Sequence, residues 1–213
     1  MTKTNWDIYL RNVSKRFGSE WIFKEIDTTL KTNQPCAIIG GNGSGKSTLL
    51  QLIAGIIPAT EGEVRYYHYP QKMLTALENW YKYLAIATPY LELIEEMTLT
   101  EVLHFHTQFK PLKKEISIND FLELIWLKDA QNKAIKHFSS GMKQRLKLGL
   151  AFYTNTPIIL LDEPTTNLDV RGIDWYENTI QDVIKDRLCV ICSNQKKEYH
   201  FCTQIIDVEQ YKK

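Results

Sequence analysis

The chain has 213 residues, 44% hydrophobic and 24% charged, with a formal net charge of +1. That length buries a core without disulfide or metal staples, and the near-neutral balance calls for neither nucleic acid nor an anionic membrane as a partner. No run of about 20 apolar residues is present to cross a bilayer. The N-terminus MTKTNWDIYLRN lacks the apolar stretch of a signal peptide, so the chain is expected in the cytoplasm, meeting the membrane only through a partner.

In chain order, WDIYLRNVSKRF and WIFKEIDTTL alternate as strands do around a turn at Gly18-Ser19, and predict an antiparallel β edge. QPCAIIG, ending at Gly40, reads as a short buried strand. Ser47 to Ile56 carries apolar residues at helical spacing and is stopped by Pro58. Gly62 to Tyr69 alternates again. From about Leu91 to Tyr153 the pattern is helical, with LTEVLHFHTQF preceded by Thr98 or Thr100 as cap, and INDFLELIWL by Asn119 or Asp120. PIILLDEP predicts a buried strand, Val170 to Lys185 a helix, LCVICS a strand, and QIIDV a last one. Strand–helix alternation at both ends argues a parallel sheet with helices packed on it, and the helical middle reads as an insertion.

Some side chains invite chemistry that the pattern does not favour. Cys189-x-x-Cys192, with His200 and Cys202 nearby, suggests a metal or redox site, but residues three apart on a strand face opposite ways. Reduced thiols are expected. His104 and His106 sit two apart on a predicted helix and read as helix-surface residues. The aromatic stretch Tyr66 to Tyr90 is expected to pack against the sheet. Lys196-Lys197 and Lys212-Lys213 read as solvated clusters.

The strongest chemical signal is Gly40-Gly41-Asn42-Gly43-Ser44-Gly45-Lys46-Ser47-Thr48, which satisfies G-x-x-x-x-G-K-[ST] between a predicted strand and a predicted helix. Glycines bend the backbone round phosphates with the N–H groups pointing inward, and the helix adds its positive end. Lys46 is expected to meet the β- and γ-phosphates of ATP, and Ser47 to offer a hydroxyl to Mg²⁺. The run Ile158 to Leu161 leads into Asp162 and Glu163 at the C-terminal end of a buried strand, where open parallel sheets bind ligands. Asp162 is expected to hold Mg²⁺, and Glu163 to polarise the attacking water.

Phe138-Ser139-Ser140-Gly141-Met142-Lys143-Gln144-Arg145, about 17 residues before Asp162, resembles the L-S-G-G-Q signature of ATP-binding-cassette (ABC) ATPases. It matches at Ser139 and Gly141 and departs at Phe138, Ser140 and Met142. The resemblance covers nearly the whole chain. It implies an α/β fold: a P-loop NTPase core, mainly parallel sheet with flanking helices, with an N-terminal antiparallel β subdomain and an inserted α-helical subdomain. Residues 1–213 would be one ATPase domain, with the core in about 1–88 and 155–213 and the helical lobe in about 89–154. The resemblance also implies that Phe17 stacks on adenine. Ser139, Ser140, Gly141 and Met142 would face ATP held by the opposite subunit of a head-to-tail dimer, and Asp169 would sit in the D-loop that crosses the interface. Two positions depart further. Tyr90 stands where the family carries a Gln, and Asn194 or Gln195 where it carries a His.

The expected function is therefore the ATP-binding and ATP-hydrolysing subunit of a transporter, with ATP and Mg²⁺ as cofactors. Its partners would be a separate membrane permease and a second copy or a paralogous cassette. An amide at Asn194 donates a hydrogen bond but takes no proton, which predicts slow hydrolysis. The alternatives are a soluble ABC-type ATPase acting on nucleic acid or the ribosome, and a nucleotide-dependent switch. The two cassettes with a charged linker, or the long coiled coils, that such soluble proteins carry are not in this sequence.

Overall fold

The alternating N-terminal segment forms two long strands in the computed structural model, which describes residues 5–69 and 77–212. β1 (Asn5–Phe17) pairs antiparallel with β2 (Glu20–Lys31). After β3 (Cys36–Ile39) and α1 (Lys46–Ile53), the chain returns as β4 (Glu61–Tyr69) to the other side of β1. β5 (Leu84–Ala87) opens the second half, followed by α2 (Leu99–Phe109), α3 (Ile118–Leu124) and α4 (Ser140–Tyr153). Then come β6 (Ile158–Asp162), α5 (Val170–Val183), β7 (Leu188–Cys192), the short α6 (Lys196–Tyr199) and β8 (Gln204–Asp207). The second sheet has the order β5-β6-β7-β3-β8 and its pairs are parallel. The antiparallel sheet and the parallel sheet with flanking helices are those expected from the sequence.

The apolar runs of β6 and β7 serve two cores at once, because successive side chains leave opposite faces of a strand. Ile158, Leu160, Leu188, Val190 and Cys192 join the core shared with α1 and the antiparallel sheet. Ile159, Leu161, Cys189 and Ile191 join the core under α2 to α5. The thiols of Cys189 and Cys192 therefore lie in different cores, as the strand reading requires.

Helix ends correct several expectations. α1 stops at Ile53, before Ile56, because Gly55 takes a left-handed φ of 70° and turns the chain away. α2 is capped by Thr98, whose hydroxyl accepts the Glu101 N–H while Glu101 bonds back to the Thr98 N–H at 2.7 Å. α3 is capped by Ser117, not by Asn119 or Asp120. Asp120 is the reciprocal member of that capping box, with its carboxylate 2.9 Å from the Ser117 N–H. Each such cap contributes about 1 kcal/mol. α3 is also shorter than INDFLELIWL, ending before Trp126, which takes a left-handed φ of 57°.

His106 is not a plain surface residue. It is half-buried and 2.9 Å from the Thr154 hydroxyl, and burial, reinforced by the Lys110 charge, lowers its pKa to about 4. His104 is exposed, as expected. The aromatic stretch divides. Tyr66 and Trp80 are buried with centroids 3.8 Å apart, whereas Tyr69 and Tyr81 are about half exposed. Residues 70–76 of that stretch lie outside the described residues. Of the basic clusters, Lys196, Lys197 and Lys212 are exposed, and Lys213 lies outside the described residues.

The C-terminus of α4 ends on a buried cation. Arg187 donates to the carbonyls of Ala151, Phe152, Thr154 and Thr156 and to the Thr156 hydroxyl, and burial lowers its pKa to about 10. It satisfies carbonyls the helix leaves unpaired and complements the negative end of the dipole.

α3 and α4 touch closely at Gly149, where a β-carbon would run into Ile125 and sit 3.2 Å from Phe121. Gly149→Ala gains up to about 1 kcal/mol of helix propensity, while overpacking costs about 1–3 kcal/mol. We expect a net loss of stability in urea unfolding. A midpoint at or above that of the parent would show that α3 yields to the added methyl.

Candidate functional site

The phosphate loop leaves β3 and enters α1 through Gly45, the N-cap, at φ 106° and ψ 9°. Only glycine takes that conformation readily, and a β-carbon there would also run into Ile22. Lys46 is 5% exposed, and its ammonium donates to Gly40 O at 2.8 Å and Gly41 O at 3.1 Å. The side chain thus lies back along the loop and holds its positive charge inside the ring of backbone that would surround phosphate. Ser44 N–H closes the turn onto Gly41 O at 3.1 Å.

Asp162 ends β6 and is 2% exposed. Burial raises its carboxyl pKa from its ordinary value. The Ser47 hydroxyl and the Lys46 charge oppose that shift, and Glu163 and Glu198 reinforce it. Its Oδ1 is buried with no hydrogen-bond partner among the described residues. A hydroxyl and a carboxylate facing each other, one oxygen unpaired, form a donor set suited to a hard cation such as Mg²⁺.

Glu163 follows at a left-handed φ of 44°, its N–H 2.9 Å from Cys192 O and its carboxylate 3.4 Å from the Thr166 hydroxyl. β7 brings the loop after Cys192 to the same edge. Asn194 donates from Nδ2 to Asn42 Oδ1 at 3.1 Å, so its amide reaches the phosphate loop. Gln195 stands at the N-cap position of α6 without a side-chain cap bond and is exposed.

The signature segment starts α4. Ser139 is its N-cap, its hydroxyl accepting from Met142 N–H at 3.2 Å, with Ser139 and Ser140 exposed. A β-carbon at Gly141 would stand 3.1 Å from Asn167 O, which shows how closely α4 abuts the turn before Asp169. Asp169 caps α5 by accepting Gly172 N–H at 2.8 Å. Met142 packs against the helical core. Phe17 is 53% exposed at the end of β1, with Lys15 5.0 Å from its ring centroid, and Tyr90 is 77% exposed.

A strand, a glycine loop gripping its own lysine, and two carboxylates at the facing strand end are features of a nucleotide site. The family described as ABC transporter matches residues 23–166. The chain belongs to that family. Members are ATPases, and this chain carries their ATP-binding cassette. It is 30% identical over 171 residues to the sulfate/thiosulfate import ATP-binding protein CysA of Halalkalibacterium halodurans, covering 77% of this chain and 47% of that one. It is also 30% identical over 216 residues to a probable ABC transporter ATP-binding/permease protein of Haemophilus influenzae, covering 95% of this chain and 38% of that one. The chain spans less than half the length of these two relatives. Among solved structures, the dimeric cassette MJ0796, in a post-hydrolysis state bound to ADP and Pi, superposes with a TM-score of 0.78 at 23% identity, covering 94% of this chain and 93% of that one. No helix among the described residues is long and apolar enough to cross a membrane.

Three contacts of the cassette escaped the sequence reading. Gln144 is buried and donates to Pro164 O at 2.8 Å, tying the signature helix to the turn after Glu163. Glu209 accepts the Gly41 N–H at 2.7 Å, so the C-terminal segment holds the head of the phosphate loop. Glu198 is fully buried and accepts from Thr165. Gln144 lies within the quoted signature run, but nothing in that run marks its contact with Pro164. The two glutamates sit in no pattern that marks them.

A carboxyl whose pKa is raised by folding adds stability below its unfolded pKa and loses it as pH rises through the raised value. Asp162→Asn, which deletes the buried charge, is therefore expected to raise the unfolding midpoint at neutral pH without nucleotide. The gain should fade as pH drops below the carboxyl's unfolded pKa, where both states carry the proton. A lower midpoint at neutral pH would mean that folding favours the ionised form.

Proposed function

We propose that the chain is the ATP-binding and ATP-hydrolysing subunit of an ABC transporter, coupling nucleotide-driven dimer closure to a separate membrane permease. The observation that carries the ATP site is Lys46 clasped inside the phosphate loop opposite the unpaired oxygen of Asp162. In this reading the loop N–H groups and Lys46 bind the phosphates, and the Phe17 ring stacks on adenine. Ser47 and Asp162 would hold Mg²⁺, which would supply charge neutralisation at the phosphates. Glu163 orients and polarises the attacking water, and the Asn194 amide donates to the γ-phosphate.

Ser139, Ser140, Gly141 and Met142 of one subunit would close over the γ-phosphate of the other, using the positive end of α4. Asp169 would sit between the two. Hydrolysis removes the phosphate that both subunits share, and with it the differential affinity that holds the closed state. Residues 89–154 would form the helical lobe that meets the permease. A groove of about 720 Å³ lined by Leu91, Glu92, Ile94, Glu96 and Lys147 supports that docking place.

Two tests follow from these roles. Glu163→Gln is expected to cut ATP turnover by at least about 100-fold with binding kept, while Asn194→His preserves or raises it. Ordinary turnover surviving in Glu163→Gln would remove Glu163 from the mechanism. For the coupling, the tagged chain is purified from detergent-solubilised membranes of its source. A polytopic membrane protein in near-equal amount is expected; recovery alone, or with ribosomes or nucleic acid, would sink the permease reading and leave the ATP site standing.

A further inference from the structure

Glu198 is a carboxylate in a place where carboxylates are costly. It lies in α6, four residues after Asn194, and is 0% exposed. Its Oε1 accepts the Thr165 N–H at 2.9 Å and, in a shorter contact, the Thr165 hydroxyl. Its Oε2 is buried with no hydrogen-bond partner among the described residues. Its own backbone carbonyl accepts from the Tyr176 hydroxyl at 2.9 Å, which pins α6 to α5. The neighbouring Lys196 and Lys197 are exposed and do not pair with it. A half-satisfied buried charge weakens a fold, so packing alone gives no reason for this side chain.

What the side chain does is connect two segments of the site. Thr165 stands two residues after Glu163 in the turn that runs on to Asp169. Among the described residues, each of the turn's first three positions is hydrogen-bonded from outside it. Glu163 N–H bonds to Cys192 O at the end of β7, Gln144 bonds to Pro164 O, and Glu198 takes both donors of Thr165. Cys192 and Glu198 flank Asn194 in the chain. The strand end and the helix that bracket Asn194 therefore both grip the turn that begins at Glu163.

We infer that Glu198 is a positioning residue for ATP hydrolysis: it holds the turn from Glu163 to Asp169 in register with the loop carrying Asn194, so that both side chains address one γ-phosphate. This rests on the roles proposed above for Glu163 and Asn194. A displacement of about 1 Å at a reacting group costs up to about 100-fold in rate, so the effect should appear in turnover and not in nucleotide affinity.

The test uses the full chain in steady-state ATPase assays, with nucleotide binding and unfolding midpoints measured alongside. Glu198→Ala is expected to lower kcat about 10- to 100-fold with KM for ATP nearly unchanged. Glu198→Gln, whose Oε1 still accepts from Thr165, should keep most of the turnover. Thr165→Val removes the hydroxyl but keeps the N–H, and should fall between them. Combining Thr165→Val with Glu198→Ala should add nothing to Glu198→Ala alone, since both break one link. If Glu198→Ala does not fold, Thr165→Val and Glu198→Gln carry the test. A loss of kcat in Thr165→Val at an unchanged unfolding midpoint supports the role.

Unchanged kcat in Thr165→Val, kcat and KM failing together with the midpoint, or Gln no better than Ala would each overturn it. Glu163→Gln separates this inference from the reading beneath it. Turnover persisting there overturns the role of Glu163. Turnover lost there but intact in Thr165→Val and Glu198→Ala overturns the role of Glu198 alone.

Discussion

The position of one charge governs the rest of this molecule. β6 is buried along its whole length, with alternate residues committed to two different cores, and its apolar run stops at Asp162. Sliding the strand by one residue would draw Asp162 into the sheet interior, at a cost of several kcal/mol for an unpaired charge. The carboxylate is therefore fixed at the C-terminal edge, one step short of where the backbone turns left-handed at Glu163. β7, paired with β6 through Asp162 and Cys192, delivers the loop with Asn194 to that same edge. The Cys192 thiol donates to Lys46 O at 3.4 Å and ties β7 to the first turn of α1. Phosphate loop, carboxylates and Asn194 meet because three neighbouring strands end together.

The site is also where the fold is least satisfied. Ser44 Oγ, Asp162 Oδ1 and Glu198 Oε2 are three of the four buried side-chain polar atoms without a hydrogen-bond partner among the described residues; the fourth is Trp80 Nε1. Asp162, Glu163 and Glu198 lie close enough that the latter two raise the pKa of Asp162, with Lys46 as the opposing charge. Such a concentration of unpaired polar atoms and like charges weakens the resting fold. It fits a place built to receive a cation and a polyanion, whose binding returns that free energy.

What could be read in the sequence was what local chemistry dictates. The glycine loop, the apolar run ending in Asp162 and Glu163, and the strand–helix alternation each state their structure within about ten residues. The Ser117-x-x-Asp120 capping box was equally local, but the apolar rhythm starting at Ile118 drew the cap too far along the chain. The burial of His106 does not show in its spacing, because spacing does not reveal that one side of α2 leans on Thr154. Glu198 and Glu209 were illegible for a deeper reason. Their partners lie 33 and 168 residues away, and an isolated glutamate in a polar stretch looks the same whether it faces water or a backbone N–H.

The bond from Glu209 to Gly41 bears on how far the phosphate loop can be regarded as a portable unit. Strand, loop and helix occupy fewer than twenty consecutive residues, about Cys36 to Ile53, and look self-contained. Yet the N–H at the head of the loop is spoken for by a carboxylate from the far end of the chain. Lifted onto another scaffold, those residues would carry their own lysine clasp but leave that anchor behind. The nest that would receive phosphate is in this sense completed from the segment after β8, so its shape depends on a contact 168 residues away in the chain.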